Sequence, residues 1–309
     1  MQRAILQHAS PITKLLFSVF IIISSFLVFI LAGYILAMFL FQAGYEGLGR
    51  MLSDASHPGH LSVLRYFQII QSTALFIVPS IVLSYLFSLK PTEYLALKRK
   101  ADWKPVFISL LIVLFAVPVI NSLAYLNEQI QLPGFMDSIE TWLKETEERA
   151  MVLTELFLRV DNIQGLMLNL LMIAVIPAIG EELLFRGVIQ RIFTEWTKNI
   201  HAGIWISALL FSAMHIQFYG FIPRAVLGAM FGYMLVWSGS MWFPVIAHFF
   251  NNAAAVIAYF LIEKKMIDEN LESLGSGSEE WGVSVVSFIF LLGFLALFKF
   301  MVKFGTKPE

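Results

Sequence analysis

Eight apolar stretches divide this sequence and constrain its fold more than any other feature. They span residues 15–41, 66–89, 105–126, 165–185, 202–218, 224–238, 242–262 and 283–304. A helix needs about 20 apolar residues to cross the roughly 30 Å hydrocarbon layer of a bilayer. The fifth and sixth stretches are shorter, with Gly220 and Pro223 between them, so they are either tilted or re-entrant. We expect an all-α, polytopic membrane protein with about eight transmembrane helices.

The composition agrees with a membrane protein and excludes several classes of function. Hydrophobic residues make up 58% of the chain and charged residues 14%, and the mean hydropathy is +0.76. Cysteine is absent, so a disulfide framework, a thiolate metal site and a cysteine nucleophile are excluded. The formal net charge of −1 gives no reason to expect a nucleic-acid partner.

The distribution of lysine and arginine predicts the orientation in the membrane. With the N-terminus inside, thirteen of the 21 basic residues fall on the cytoplasmic side, and this number includes Arg186. Short cytoplasmic connections carry such an excess. The first apolar stretch is too long for a cleaved signal peptide and reads as a retained anchor. We therefore expect both termini in the cytoplasm.

The connection between the third and fourth stretches predicts an amphipathic helix on the outer side. Phe135, Ile139, Trp142 and Leu143 recur near helical spacing among acidic residues. Such a helix rests on the membrane interface. A role as a substrate gate is the alternative.

The stretch "EELLFR" places Glu181, Glu182 and Arg186 after a long apolar run. Glu182 and Arg186 are four residues apart, so on a helix they share a face and pair, while Glu181 points about 100° away from Glu182. Charged side chains inside a bilayer are costly and are therefore candidates for function. A carboxyl group in apolar surroundings also holds a proton more readily, which suits a general base. Ordinary charges at a helix end, reaching for the headgroups, are the alternative.

Three further polar residues lie in apolar sequence. His215 ends "FSAMH", one turn after Phe211, and His248 and Asn252 stand four apart in "HFFNN". A neutral imidazole and a carboxamide can both donate to a developing oxyanion. The alternatives are a hydrogen-bonded packing histidine and an ordinary interhelical hydrogen bond.

Taken in order, "EELLFR", "FSAMH" and "HFFNN" resemble the CAAX protease and bacteriocin-processing family of intramembrane proteases, which includes the type II CAAX prenyl endopeptidases. The signature EExxxR, FxxxH and HxxxN is met without departure over about residues 162–254. The resemblance implies an eight-helix protein of a prokaryotic plasma membrane that cleaves peptide bonds with a glutamate-activated water. It also implies a polar catalytic cavity reached from the cytoplasmic side and from the bilayer. The predicted spans, which place Glu181 at the cytoplasmic end of the fourth, agree with that access.

Roles for individual residues follow from the resemblance. Glu181 is expected to be the general base, His215 to hold the water, and His248 and Asn252 to form the oxyanion site. Glu182 and Arg186 are expected to be a supporting pair, although Glu182 is also a candidate for direct participation. The implied partners are membrane lipid and a hydrophobic or lipidated peptide. Neither the physiological substrate nor the oligomeric state follows from the motifs.

A single integral membrane domain, residues 1–309, is expected to contain this machinery. Residues 1–130 would form the N-terminal helices, 131–163 the amphipathic connection, 164–263 the catalytic core, and 264–309 a loop and the last transmembrane helix.

Other interpretations stay open at this level. No cofactor is expected, but Glu181, His215 and His248 also offer a zinc ligand set with an open position, without the HExxH spacing of many zinc proteases. A non-catalytic membrane scaffold, or a secretion or bacteriocin-immunity factor, would keep the polar cluster for packing. A transporter would use it to relay protons.

Overall fold

Helices form the framework of the protein in a computed structural model, which describes residues 4–54, 57–130, 132–268, 274–277 and 280–304. The regular elements within these residues are all helical, which confirms the predicted fold class. The main helices are α1 (Pro11–Leu40), α2 (Tyr45–Ser53), α3 (Leu61–Phe87), α4 (Pro91–Tyr94), α5 (Trp103–Glu128), α6 (Asp137–Leu158), α7 (Ile163–Thr197), α8 (Ile200–Ala213), α9 (Phe221–Ser238), α10 (Trp242–Glu263) and α11 (Trp281–Phe304).

Seven helices of the described chain are long and apolar enough to cross a membrane: α1, α3, α5, α7, α9, α10 and α11. The remaining predicted crossing, the fifth stretch at residues 202–218, corresponds to α8, which has only 14 residues. At 1.5 Å per residue α8 is about 21 Å long, shorter than the hydrocarbon layer. The chain is an integral membrane protein, and its described residues contain seven long apolar helices and the shorter apolar helix α8.

Helix α7 differs most from its predicted bounds, because it continues to Thr197 instead of ending near Phe185. Glu181 therefore lies near the middle of the 35-residue helix and not at its cytoplasmic end. The charges do not mark the headgroup region, because Glu182 and Arg186 are buried and paired inside the bundle. Paired side chains let the helix continue where isolated charges would have required water.

Two π-turns interrupt α7, at Leu170–Val175 and at Phe185–Ile189. They lie on either side of the two glutamates. Such turns occur mostly inside α-helices and frequently at functional sites. Pro177 follows the first π-turn and has no N–H for a carbonyl one turn earlier.

One face of the bundle carries α6 and is called the α6 face. The amide of Asn127, at the end of α5, donates to the carbonyl of Phe218, 2.7 Å away. The backbone N–H of Tyr219 donates to Glu147 of α6 over 3.0 Å, and Arg65 of α3 donates to the Phe157 carbonyl over 2.8 Å. These bonds place α6 beside the start of α3, the end of α5 and the connection between α8 and α9.

The α6 face is one end of the bundle, where membrane helices meet the surface. The other end is called the basic face. The N–H of Met241 donates to the carbonyl of Ala96 over 2.9 Å, and the Ser240 hydroxyl donates to the carbonyl of Arg99 over 2.6 Å. Lys14, near the start of α1, pairs with Glu195, near the end of α7, at 2.7 Å. The connections 88–102, 198–199 and 239–241 therefore share one face.

The predicted amphipathic helix is present as α6, preceded by a short 3₁₀ turn at Gly134–Met136. Phe135, Ile139 and Trp142 are exposed, so their apolar surface is not used for packing within this chain. This arrangement suits a helix that rests on a membrane interface.

Candidate active site

The six residues singled out from the sequence lie in one region of the bundle. Glu181, His215, His248 and Asn252 line a single cavity of about 640 Å³. Glu182 and Arg186 are buried directly behind it, at 0% and 2% exposure. Residues from α7, α10 and the turn after α8 are thus brought together by the tertiary fold.

Glu182 and Arg186 form the ion pair expected from their spacing. Nη1 of Arg186 lies 3.0 Å from Oε1 of Glu182, while Nη2 donates to the carbonyl of Gly228 on α9 over 3.1 Å. The guanidinium also stacks on Phe211, with its carbon 4.6 Å from the ring centroid. Breaking a buried pair leaves an uncompensated charge and typically costs about 3–5 kcal/mol. The pair and its neighbours therefore connect α7 with α8 and α9, and loss of either charged partner would be costly.

Glycines on α9 make room for the polar side chains of α7. A Cβ on Gly228 would come within 3.1 Å of the Arg186 guanidinium, and one on Gly232 within 2.6 Å of Gln190 Oε1. Helices in membranes approach closely where small residues face each other. The spacing of the two glycines, four residues apart, matches the spacing of Arg186 and Gln190.

The ring of His248 connects the two glutamates. Its Nδ1 lies 2.8 Å from Oε1 of Glu182, and its Nε2 lies 3.8 Å from Oε2 of Glu181. Phe231 stacks against the ring, with centroids 5.4 Å apart. Glu182, paired with Arg186, accepts a hydrogen bond, so Nδ1 carries the proton in the neutral ring and Nε2 is an acceptor.

This arrangement changes the role expected for His248. The family resemblance implies that His248 donates to the oxyanion, but the one N–H of the neutral ring is already donated to Glu182. The ring offers an N–H at Nε2 only when it carries a second proton. Spacing within α10 gave no sign of this, because the acceptor lies on α7, 66 residues away in the chain.

The sequence predicted His215 inside a helix. The structure instead places it in the turn that follows α8. Its Nδ1 is 2.8 Å from the carbonyl of Phe211. A carbonyl can only accept, so Nδ1 is the donor and Nε2 is left as the acceptor of the neutral ring. Ile216, the next residue, has φ 54°, in the left-handed region, which ends the helix just before the cavity.

The side chain of Asn252 is held by a carbonyl of α7. Its Nδ2 donates to Ile173, 3.1 Å away, and its Oδ1 accepts from Asn251 over 3.2 Å. Pro177 has no N–H to offer the Ile173 carbonyl in the helix, and Asn252 supplies that donor. One N–H of the amide remains for another acceptor.

Arg224 and Asn251 also line the cavity but were not among the predicted site residues. Nη2 of Arg224 donates to Oε1 of Gln217, and its Nη1 is buried without a hydrogen-bond partner among the described residues. In the sequence, Arg224 is the first residue of an apolar stretch. A cation in that position is typical of the membrane boundary, so it was not selected as a site residue. Asn251 lies in the quoted "HFFNN", beside the residue that the four-residue spacing selected.

Metal binding by these side chains receives no geometric support. Within the described residues, no three His, Asp or Glu side chains form a group that could hold a metal ion. Glu181, His215 and His248 therefore do not form such a group.

The fold and this site define a polytopic membrane protein with a buried glutamate, arginine and histidine cluster beside a cavity lined by both polar and apolar side chains. Residues 163–254 match the family model "Type II CAAX prenyl endopeptidase Rce1-like". The match covers the segment from the start of α7 into α10 and confirms the resemblance seen in the three motifs.

Two proteins of Bacillus subtilis (strain 168) are similar to part of the chain. "Uncharacterized protein YpbD" is 30% identical over 118 residues, which cover 36% of this chain and 58% of that protein. "Putative membrane peptidase YdiL" is 27% identical over 128 residues, which cover 40% of this chain and 49% of that protein. The chain thus spans about half the length of these curated relatives. No solved structure matches it.

Proposed function

We propose that this protein is an intramembrane endopeptidase that hydrolyses a peptide bond with water activated by Glu181. The observation that carries the proposal is the meeting of Glu181, His215, His248 and Asn252 around one cavity. The Rce1-like domain supports a peptidase function in general terms. The glutamate mechanism is inferred from the geometry of the side chains.

Glu181 is the carboxylate suited to be the base. Arg186 lies at ion-pair distance from Glu182, and Glu181 faces the cavity. The gap of 3.8 Å between Glu181 Oε2 and His248 Nε2 is longer than a direct hydrogen bond and is one that a water molecule can bridge. Nε2 of His215 is a further acceptor in the cavity, so the second O–H of this water has a choice of His248 or His215 while the first donates to Glu181.

The reaction then proceeds in two steps. The water oxygen adds to the substrate carbonyl carbon as a water proton moves to Glu181. The carbon–nitrogen bond breaks as that proton reaches the leaving nitrogen, which gives a carboxyl group and an amine. His248, fixed by Glu182, relays the proton through Nε2, much as a carboxylate orients the histidine in serine proteases.

The oxyanion of the tetrahedral intermediate is assigned to the free N–H of Asn252. A preorganised donor of this kind acts strongly in a site that excludes water. His248 adds a second donor only while it holds the relayed proton. The oxyanion site is thus weaker before proton transfer than after it.

A hydrophobic or lipidated peptide suits the cavity as substrate. Leu75, Phe76, Leu153 and Leu227 are among its apolar lining residues, and Glu181, His215, His248 and Asn252 are among its polar ones. Ligand sites commonly combine an apolar wall with a few oriented polar groups. The wall would hold side chains or a lipid, and the polar end the scissile bond.

The test compares membrane proteomes of cells that produce the parent protein or Glu181→Gln, which keeps the side-chain volume and removes the basic oxygen. We expect new peptide ends in the parent cells that are absent from the variant at equal protein levels. Glu145→Gln, on the exposed part of α6, is the matched control and should cut as the parent does. Equal cleavage by Glu181→Gln of a purified substrate would disprove the assignment. A biological function that survives Glu181→Gln would favour the non-catalytic scaffold.

A further inference from the structure

The cavity opens toward one end of the bundle, the end that carries α6. Its lining includes Ala150, Leu153, Thr154 and Phe157 of α6. The described residues of connections 88–102, 198–199 and 239–241, on the basic face, do not line it. The route to Glu181 therefore begins at the α6 face.

Exposure of the lining residues agrees with this direction. Gln71, Thr154 and Met214 line the cavity and are exposed. Glu181 and His248, deeper in the same cavity, are 8% and 5% exposed. Access thus decreases from the α6 face toward the catalytic carboxylate.

A second cavity, of about 460 Å³, approaches from the opposite end without reaching the catalytic groups. Lys98, Arg99 and Gly239 of the basic face line it, and it extends to Arg186 and Gln190. Glu181, His215 and His248 do not line it. The buried pair of Glu182 and Arg186 separates the two cavities.

The two faces differ sharply in their content of lysine and arginine. The short connections of the basic face contain Lys90, Lys98, Arg99, Lys100 and Lys198. The longer connections of the α6 face, taken over their described residues 41–54, 57–60, 129–130, 132–162, 214–220, 264–268, 274–277 and 280, contain Arg50, Lys144, Arg149, Arg159, Lys264 and Lys265. Basic residues are therefore several times denser on the basic face. Arg186, which the sequence analysis counted among the cytoplasmic basic residues, is buried in the bundle and is left out of this comparison.

We propose that the cavity opens on the extracytoplasmic side of the membrane, so that the site acts on peptide segments presented there. A dense excess of lysine and arginine in short connections marks the cytoplasmic side, and the cavity opens at the other end. This reverses the cytoplasmic access expected from the family resemblance. The substrate class, which rests on the proposed peptidase function, is translocated peptide and not a lipidated tail in the cytoplasm.

The absence of cysteine from the chain allows a direct test with single-cysteine variants and a membrane-impermeant maleimide. Glu145→Cys reports the α6 face, Lys100→Cys the basic face, and Gln71→Cys the cavity; all three positions are exposed. Ile81→Cys, on the same helix as Gln71, is exposed but lies outside the cavity lining and is the matched control.

In intact cells of a Gram-positive host, Glu145→Cys and Gln71→Cys should react. Lys100→Cys should react only after permeabilisation, and Ile81→Cys should stay unreacted because a maleimide needs a hydrated thiol. Reaction of Lys100→Cys but not Glu145→Cys in intact cells would overturn the orientation. Failure of Gln71→Cys to react in intact cells, when Glu145→Cys does, would overturn the opening.

The same labelling in the Glu181→Gln background should be unchanged, because it does not depend on catalysis. The labelling therefore tests only the side on which the cavity opens. The proteome comparison separately tests the peptidase function.

Discussion

His248 donates through Nδ1 to Oε1 of Glu182 across 2.8 Å, in a contact where both side chains are buried. The same carboxylate oxygen lies 3.0 Å from Arg186. Glu182 therefore neutralises the arginine and also fixes the tautomer of the histidine. The second glutamate of the motif serves both the stability of the bundle and the chemistry of the first.

Glu182→Gln should destabilise the folded bundle, because it leaves the Arg186 guanidinium buried without a counter-charge. We expect a loss of about 3–5 kcal/mol in the free energy of unfolding, measured by denaturation of the detergent-purified protein. Glu145→Gln should change it by less than about 0.5 kcal/mol, as expected for an exposed position. A Glu182→Gln protein as stable as the parent would show that the ion pair contributes no net stability.

Asn252→Ala should reduce turnover by a factor of about 10²–10³, the usual loss for one oxyanion donor. The neighbouring Asn251→Ala removes only the bond to Asn252 Oδ1 and should cost about tenfold or less. Turnover of a substrate found by the proteome comparison measures both. An equal loss in the two variants would point to a general disturbance of α10 and not to an oxyanion donor.

Gly203→Ala should destabilise the packing of α8 on α7. A Cβ at this position would lie 2.0 Å from Thr194 Oγ1 and 2.9 Å from the carbonyl of Gln190, so backbone as well as side chain would have to move. Overpacking of this kind typically costs about 1–3 kcal/mol. Gly293→Ala on α11 meets nothing within 4 Å and should be neutral or slightly stabilising. Thermal unfolding of the two purified variants distinguishes the cases.

Removal of divalent metal should leave cleavage unchanged if the glutamate mechanism is correct. The experiment dialyses the purified protein against a chelator and then measures metal content and turnover together. Loss of turnover that zinc restores would instead support the alternative in which Glu181, His215 and His248 bind a metal. Glu181→Gln would then also lower zinc retention, which the glutamate mechanism does not predict.

Features that depend on neighbouring residues were accessible from the sequence. The pairing of Glu182 with Arg186 follows from a spacing of four within one helix, and the structure shows it. The amphipathic helix α6 followed from Phe135, Ile139, Trp142 and Leu143. The apolar stretches gave α1, α3, α5, α9, α10 and α11 to within five residues, whereas α7 extends twelve residues further than predicted and α8 ends before His215.

Those two exceptions have different causes. A charged residue in apolar sequence signals a membrane boundary only when it is exposed, and a charge balanced by tertiary contacts looks identical in the sequence. Glu182 and Arg186 therefore made α7 appear to end near Phe185. His215 seemed to lie within a helix because apolar residues continue past Ala213, into a turn.

The sequence alone determined which segments enter the membrane, because burial of apolar residues depends on local composition, and which side chains share a helix face, because the helical repeat is fixed. Only the tertiary structure decided that His248 meets Glu182, that Asn252 takes the Ile173 carbonyl left by Pro177, and that Arg224 joins the cavity. These contacts join helices far apart in the chain, and their geometry depends on how close the backbones approach at small residues such as Gly228. The helical repeat specifies a direction around one axis, whereas a cavity depends on the relative positions of several axes.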